Sequence, residues 1–157
     1  MISPEELMQM ARDQARRGMA AGQSPFGCAI AWKDRLVACA HNSVLSTIDI
    51  TAHAEINALR TACHATRELF FPEALVATTC EPCPMCLAAL HWARVGTIYY
   101  GARIEDAQAA GFHELTIPAR EMVERGGSSL RLVADVQRAE CQELFREWLA
   151  RPDRQAY

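Results

Sequence analysis

The chain has 157 residues, half of them hydrophobic, which suits one domain with a buried core and excludes a disordered polymer. Charges interrupt every apolar run, which excludes a transmembrane helix, and the start MISPEELMQM lacks the basic region of a signal peptide, so a cytoplasmic protein is expected. The net charge of −3 is spread evenly, with 7 basic and 8 acidic side chains in residues 1–80 and 9 and 11 in residues 81–157, which disfavours a nucleic-acid partner.

The elements follow in chain order. Ser3-Pro4-Glu5-Glu6 announces a helix, with Ser as N-cap, Pro in the first turn and Glu closing a capping box; it should run to about Ala21 and stop at Gly22. PFGCAIAW and LVACA read as two strands of a hairpin turning at KDR. TAHAEINALRTACH is helical, with Ile56, Leu59 and Cys63 on one face. ALVATT is a buried strand, PMCLAALHWARV a helix starting at Pro84, and TIYYG a strand. EDAQAAGF is a short helix or a loop, and LRLVAD the last strand. QRAECQELFREWLA is an amphipathic helix with Leu144, Phe145, Trp148 and Leu149 inward, followed by the extended tail RPDRQAY. Helix, hairpin, then alternating strands and helices imply an α/β sheet of about five strands covered on both faces, with ALVATT and TIYYG parallel.

Seven cysteines in such a chain point to metal or to buried thiols. Cys28, Cys39, Cys63 and Cys141 stand singly in apolar segments and read as small buried hydrophobes. The stretch Cys80-Glu81-Pro82-Cys83-Pro84-Met85-Cys86 is different. Cys83 and Cys86 lie three apart at a helix start, so both thiolates share one face near the positive end of the helix dipole. A zinc ion needs further ligands, and His53 in Thr51-Ala52-His53-Ala54-Glu55, also at a helix start, is the best donor. Three protein ligands leave a fourth position open, the stoichiometry of catalytic zinc. Glu55, two residues beyond that donor, is placed for chemistry, and the signature that follows gives it the role of acid and base. His53-x-Glu55 with Pro82-Cys83-x-x-Cys86 matches the known signature of the zinc deaminases. Cys80 precedes the helix, and Pro82 turns the chain away from it. A redox Cys-x-x-Cys would leave His-Ala-Glu unexplained, and a zinc ribbon would need a second cysteine pair.

Through these residues the chain resembles the cytidine-deaminase-like zinc deaminases. It is most similar to the small bacterial guanine deaminases through PFG at 25–27, Asn42, TAHAE at 51–55, CEPCPMC at 80–86, WAR at 92–94, AGF at 110–112 and the final Tyr157. The resemblance implies a three-layer α/β/α sandwich with a mixed five-stranded sheet, one deaminase domain over residues 1–157. It implies zinc at His53, Cys83 and Cys86 and proton transfer by Glu55. It implies a homodimer whose tails, residues 151–157, exchange so that Tyr157 caps the partner's site. Carried over by position, Phe26 and Trp92 would sandwich the base, and Asn42, Ala54 and Glu114 would bind it, with Glu114 also helping to move protons. Where those deaminases commonly place an aspartate, Glu114 reaches one methylene further. The implied reaction is hydrolysis of a free nucleobase, guanine to xanthine and ammonia. Another aminopurine, a pterin, a triazine or free cytosine would suit related sites. A tRNA adenosine deaminase shares HAE and PCxxC, and a zinc-stabilised binding module would have four protein ligands. His113 reads as a surface residue.

Overall fold

The computed structural model describes all 157 residues. Helix α1 (Pro4–Ala20) opens on the expected capping box, with Ser3 Oγ accepting from the Glu6 N–H and Glu6 accepting from the Ser3 N–H. Strands β1 (Gly27–Trp32) and β2 (Arg35–His41) form the hairpin, turning through Lys33 and Asp34 with φ of 51° and 58°. Two successive positive φ values match the right-handed strand twist. A short α2 (Val44–Thr47) leads to α3 (Ala54–Thr66), then β3 (Leu75–Cys80), α4 (Pro84–Trp92) and β4 (Thr97–Ala102). After them come α5 (Ile104–Ala109), α6 (Ala119–Gly126), β5 (Arg131–Val133) and α7 (Arg138–Leu149). The sheet order is β2-β1-β3-β4-β5, antiparallel at β2-β1-β3 and parallel at β3-β4-β5, so the expected mixed five-stranded sheet forms.

The two-residue period of the strands sorts the core into two layers. Ala29, Ala31, Ala77 and Tyr99 face α1 and α7, packing on Leu7, Met8, Ala11, Leu144, Phe145 and Trp148. Cys28, Ile30, Val76 and Ile98 face α3 and α4, packing on Ala54, Ala58, Ala62, Leu87 and Leu90. The small residues at 54, 58 and 62 recur every four positions, which lets α3 lie close to the sheet. Close approach is stricter on the other layer. A Cβ at Gly27 would overlap the Ala11 carbonyl of α1, and one at Gly101 would overlap Cys141 of α7.

Several expectations move. The buried stripe of α3 runs through Glu55, Ala58, Leu59 and Ala62, while Ile56 and Cys63 are half-buried, because the alanine face meets the sheet. Helix α4 stops at Trp92 and Arg94 turns with φ of 57°, which frees the chain to enter β4. Leu149 lies at the end of α7 with 41% of its surface exposed, beyond the reach of the sheet. Cys28 and Cys141 are buried, and Cys39 is half-buried. Helices α2 and α6 are additions. The second had a signal in Pro118 before Ala119 and Gly127 in the left-handed region after Gly126.

Candidate active site

The site lies beyond the carboxyl end of β3, where two helices begin. His53 is the N-cap of α3 and Cys83 the N-cap of α4, both with extended backbone and neither using its side chain to cap its helix. Those side chains are therefore free to converge. His53 Nδ1 lies 3.7 Å from Cys83 Sγ and 3.5 Å from Cys86 Sγ, and the three ligand atoms all fall within 4.8 Å of one another. Zinc with Zn–S of about 2.3 Å and Zn–N of about 2.0 Å at a tetrahedral angle sets nitrogen and sulfur about 3.5 Å apart. The donors fit that geometry, and Nδ1 is the histidine atom that faces the thiols. Cys83 forms a thiolate readily: hydrogen bonding from Cys86, and then from His53, lowers its pKa to about 4. Cys80 stays outside this set. Its buried Sγ points to the Arg103 carbonyl at 3.4 Å, and burial pushes its pKa well up.

Glu55, two residues into the same turn, is only 6% exposed. Its Oε1 accepts from Thr78 Oγ1 of β3 at 2.9 Å. Burial raises its pKa, and the negative charge at Cys83 adds to the rise. A buried carboxylate with its acidity reduced is suited to take up and release a proton. Asn57, two residues further along α3, lies within reach of the carbonyls of His41 and Ala52 and of Ser43 Oγ, at 2.9, 3.2 and 2.9 Å. It ties the end of β2 to the loop that delivers His53. Thr78 and Asn57 had no sequence signal.

A cavity of about 300 Å³, small for a ligand pocket, opens over these groups. Phe26, Asn42, His53, Glu55, Cys83, Glu114 and Tyr157 line it together. Phe112 joins them, its ring edge-on to Phe26 at 5.0 Å and to Tyr157 at 5.5 Å. Buried Asn42 accepts from the Val44 N–H through Oδ1 at 3.1 Å and donates through Nδ2 to the Tyr157 hydroxyl, which leaves one amide N–H unused by those bonds. Burial raises the Tyr157 pKa, so its hydroxyl stays protonated. Within one chain Tyr157 lines its own pocket, and its carbonyl accepts from the His113 N–H at 2.9 Å. Burial first, then the charge at Cys83, lifts the Glu114 pKa to about 7.

Two expected residues stand elsewhere. Trp92 lies outside the cavity, 78% exposed, because α4 carries it about 9 Å along the helix from Cys86. Phe26 therefore has Phe112, not Trp92, as its aromatic neighbour at the site. Ala54 points its methyl group into the core against the sheet and does not line the cavity. His113 is exposed, as expected, and also forms part of the rim.

A shallow sheet with helices on both faces, a histidine–thiolate trio and a buried glutamate define a zinc-dependent hydrolase. The family model for the cytidine and deoxycytidylate deaminase zinc-binding region matches residues 1–102, and the chain belongs to that family. Guanine deaminase of Bacillus subtilis is 39% identical over 114 residues, covering 72% of this chain and 73% of that protein. A tRNA-specific adenosine deaminase of Agrobacterium fabrum is 36% identical over 103 residues, covering 66% and 68%. Guanine deaminase from Nitrosomonas europaea, and a variant protein solved in complex with 8-azaguanine, each align at a TM-score of 0.86 and 28% identity, covering 96% of this chain and 87% of theirs.

Proposed function

We propose that this deaminase acts on a free nucleobase and converts guanine to xanthine and ammonia. The observation that carries the reading is the small cavity lined by Phe26, Phe112 and Tyr157, where Glu114, when ionised, supplies an acceptor-only edge. Guanine presents N1–H and its 2-amino group as adjacent donors, which a carboxylate accepts together. Support also comes from the guanine deaminases among its relatives.

Bound by His53, Cys83 and Cys86, zinc supplies a Lewis acid that brings the pKa of water down to about 7. Glu55 takes the proton of the attacking water and passes it to a ring nitrogen. It then takes the second proton from the same oxygen and gives it to the departing amino group, so a carbonyl forms, one water is consumed and one ammonia leaves. Glu114 holds the amino-bearing edge toward Glu55. Asn42 offers its remaining amide N–H to an acceptor on the ring. Tyr157 and Phe112 keep bulk water out. The exchange of tails between two subunits belongs to the same reading: residues 151–157 would deliver Tyr157 to Asn42 and His113 of the partner through the contacts seen within one chain.

A tRNA adenosine deaminase is the second reading, favoured by the Agrobacterium relative. It requires room and positive charge for a stem-loop, whereas Tyr157 fills one side of a small cavity and the chain carries −3. Ammonia release screened over guanine, other aminopurines, cytosine, their nucleosides and an anticodon stem-loop separates the two. Turnover of guanine is expected. Activity confined to nucleosides or to the stem-loop, or release from none of them, overturns the proposal.

A further inference from the structure

Glu81 is the one charged residue of the CEPCPMC stretch, and neither the metal set nor the substrate reading uses it. It sits two residues before Cys83, with its backbone N–H donated to the Ala102 carbonyl at 2.8 Å. Its side chain turns away from the metal ligands. Oε2 accepts from the Ile104 N–H at 3.2 Å and Oε1 accepts from the Ala119 N–H at 2.8 Å. Those are the first residues of α5 and of α6. One carboxylate thus takes a free amide from the start of each of two helices, a place where negative charge is also favoured by both dipoles. The bond to α6 fills a specific need. The N-cap there is Pro118, which has no side-chain acceptor to offer.

The segment that runs between the two contacts carries Phe112 and Glu114 into the cavity. It includes α5 and then the irregular stretch 110–118, where Gly111 takes φ of 105°. Residues 115–118 are all exposed and belong to no helix or strand, so local structure does not hold them. Glu81 holds both ends from the same turn that presents Cys83 and Cys86. It lines the cavity on one side and, on the other, a polar groove formed with Tyr100, Arg103, Thr116 and Arg120. We infer that Glu81 is a positioning residue that fixes the segment bearing Phe112 and Glu114 in register with the metal ligands. It acts through that segment and not on the reacting atoms. The inference rests on the deaminase chemistry of the site and deepens it.

Glu81→Gln keeps the shape but one of the two acceptor oxygens becomes an NH₂ group, and Glu81→Asp keeps both oxygens on a shorter arm. In the purified zinc-loaded protein, Glu81→Gln is expected to keep one zinc per chain and the native fold. Hydrogen exchange of the Ile104 and Ala119 amides, and across 110–118, should quicken. Ammonia release from the preferred base should lose roughly 10- to 100-fold in kcat/KM, the range for groups that orient others. Glu81→Asp should recover part of that loss. Combined with Glu114→Gln, the double variant should lose less than the product of the single losses, because both act through one segment. Unchanged exchange at those amides, activity within twofold of the unmodified enzyme, independent losses in the double variant, or loss of zinc from Glu81→Gln each overturns the inference. If the unmodified protein releases ammonia from no base, the substrate reading fails, and exchange with zinc content still decides the role of Glu81.

Discussion

Glu55 and Glu114 line one cavity with different surroundings, and the difference sets what each can do. Glu55 is buried and receives a hydroxyl from Thr78, so it is held in place as well as shifted. Glu55→Ala is expected to retain zinc and lose at least about 10²- to 10⁴-fold in turnover, the usual weight of a general acid–base; metal content and ammonia release measure the two sides. Thr78→Val removes a hydrogen bond to a carboxylate, of the kind worth about 1.5–3 kcal/mol, and should lower kcat with zinc still bound. Glu114 has a pKa raised to about 7 by burial, so it is an acceptor above that pH and a neutral acid below it. KM should rise as pH falls from 8 to 6, and Glu114→Gln should remove that step. The same shift works against stability. The folded form binds a proton that the unfolded chain, near 4.5, releases, so this group lowers stability as pH rises between those values. Denaturant titrations of Glu114→Gln should lack that slope. At this scale the grouping of His53, Cys83 and Cys86 beside Glu55 could be read from sequence because metal chemistry demands particular side chains at fixed spacing. Thr78 and Asn57 could not, since a neutral polar residue acquires its role only from the neighbours that folding brings to it.

The elements were legible where the pattern is local. Capping at Ser3, the hairpin and the parallel β3-α4-β4 unit all follow from short-range rules. What failed was direction. Trp92 lies in the same helix as Cys86, and only the packing of α4 shows that its far end leaves the cavity. Ala54 neighbours His53 yet faces the sheet. Close contact between elements was likewise silent in the sequence, and it is severe at Gly27, where the backbone of α1 meets β1. The obstacle there is a backbone carbonyl, which cannot swing aside as a side chain can. Gly27→Ala is expected to destabilise the protein by about 1–3 kcal/mol or more, the cost of overpacking, as read by urea denaturation. Gly126→Ala, with open space around it, is the control that should leave stability nearly unchanged.

For the whole molecule, the question is whose Tyr157 closes which site. Glu55→Ala and Tyr157→Ala each damage a different part of it. If tails exchange between subunits, mixing the two variants after unfolding and refolding builds heterodimers with one intact site, and about a quarter of all sites recover. If each chain closes its own pocket, no mixture recovers activity. Ammonia release from the mixture, against each variant alone, reads the result. The even charge and the capacity for one buried core were plain in the composition, whereas the path of the tail depends on contacts more than 100 residues apart, such as Tyr157 with Asn42.

The metal donors come from two stretches 30 residues apart, at the starts of α3 and α4. A bound ion there joins those stretches as a cross-link would, and its effect follows mass action. Zinc at a hundredfold excess over its dissociation constant adds about 2.7 kcal/mol of stability. For a chain of this length that corresponds to roughly 5–10 °C in Tm. Chelation should lower Tm by that order, and calorimetry across a series of zinc buffers should show Tm climbing with the logarithm of free zinc. The same trio that equips the protein for hydrolysis would then couple the amount of folded protein to the zinc supply around it.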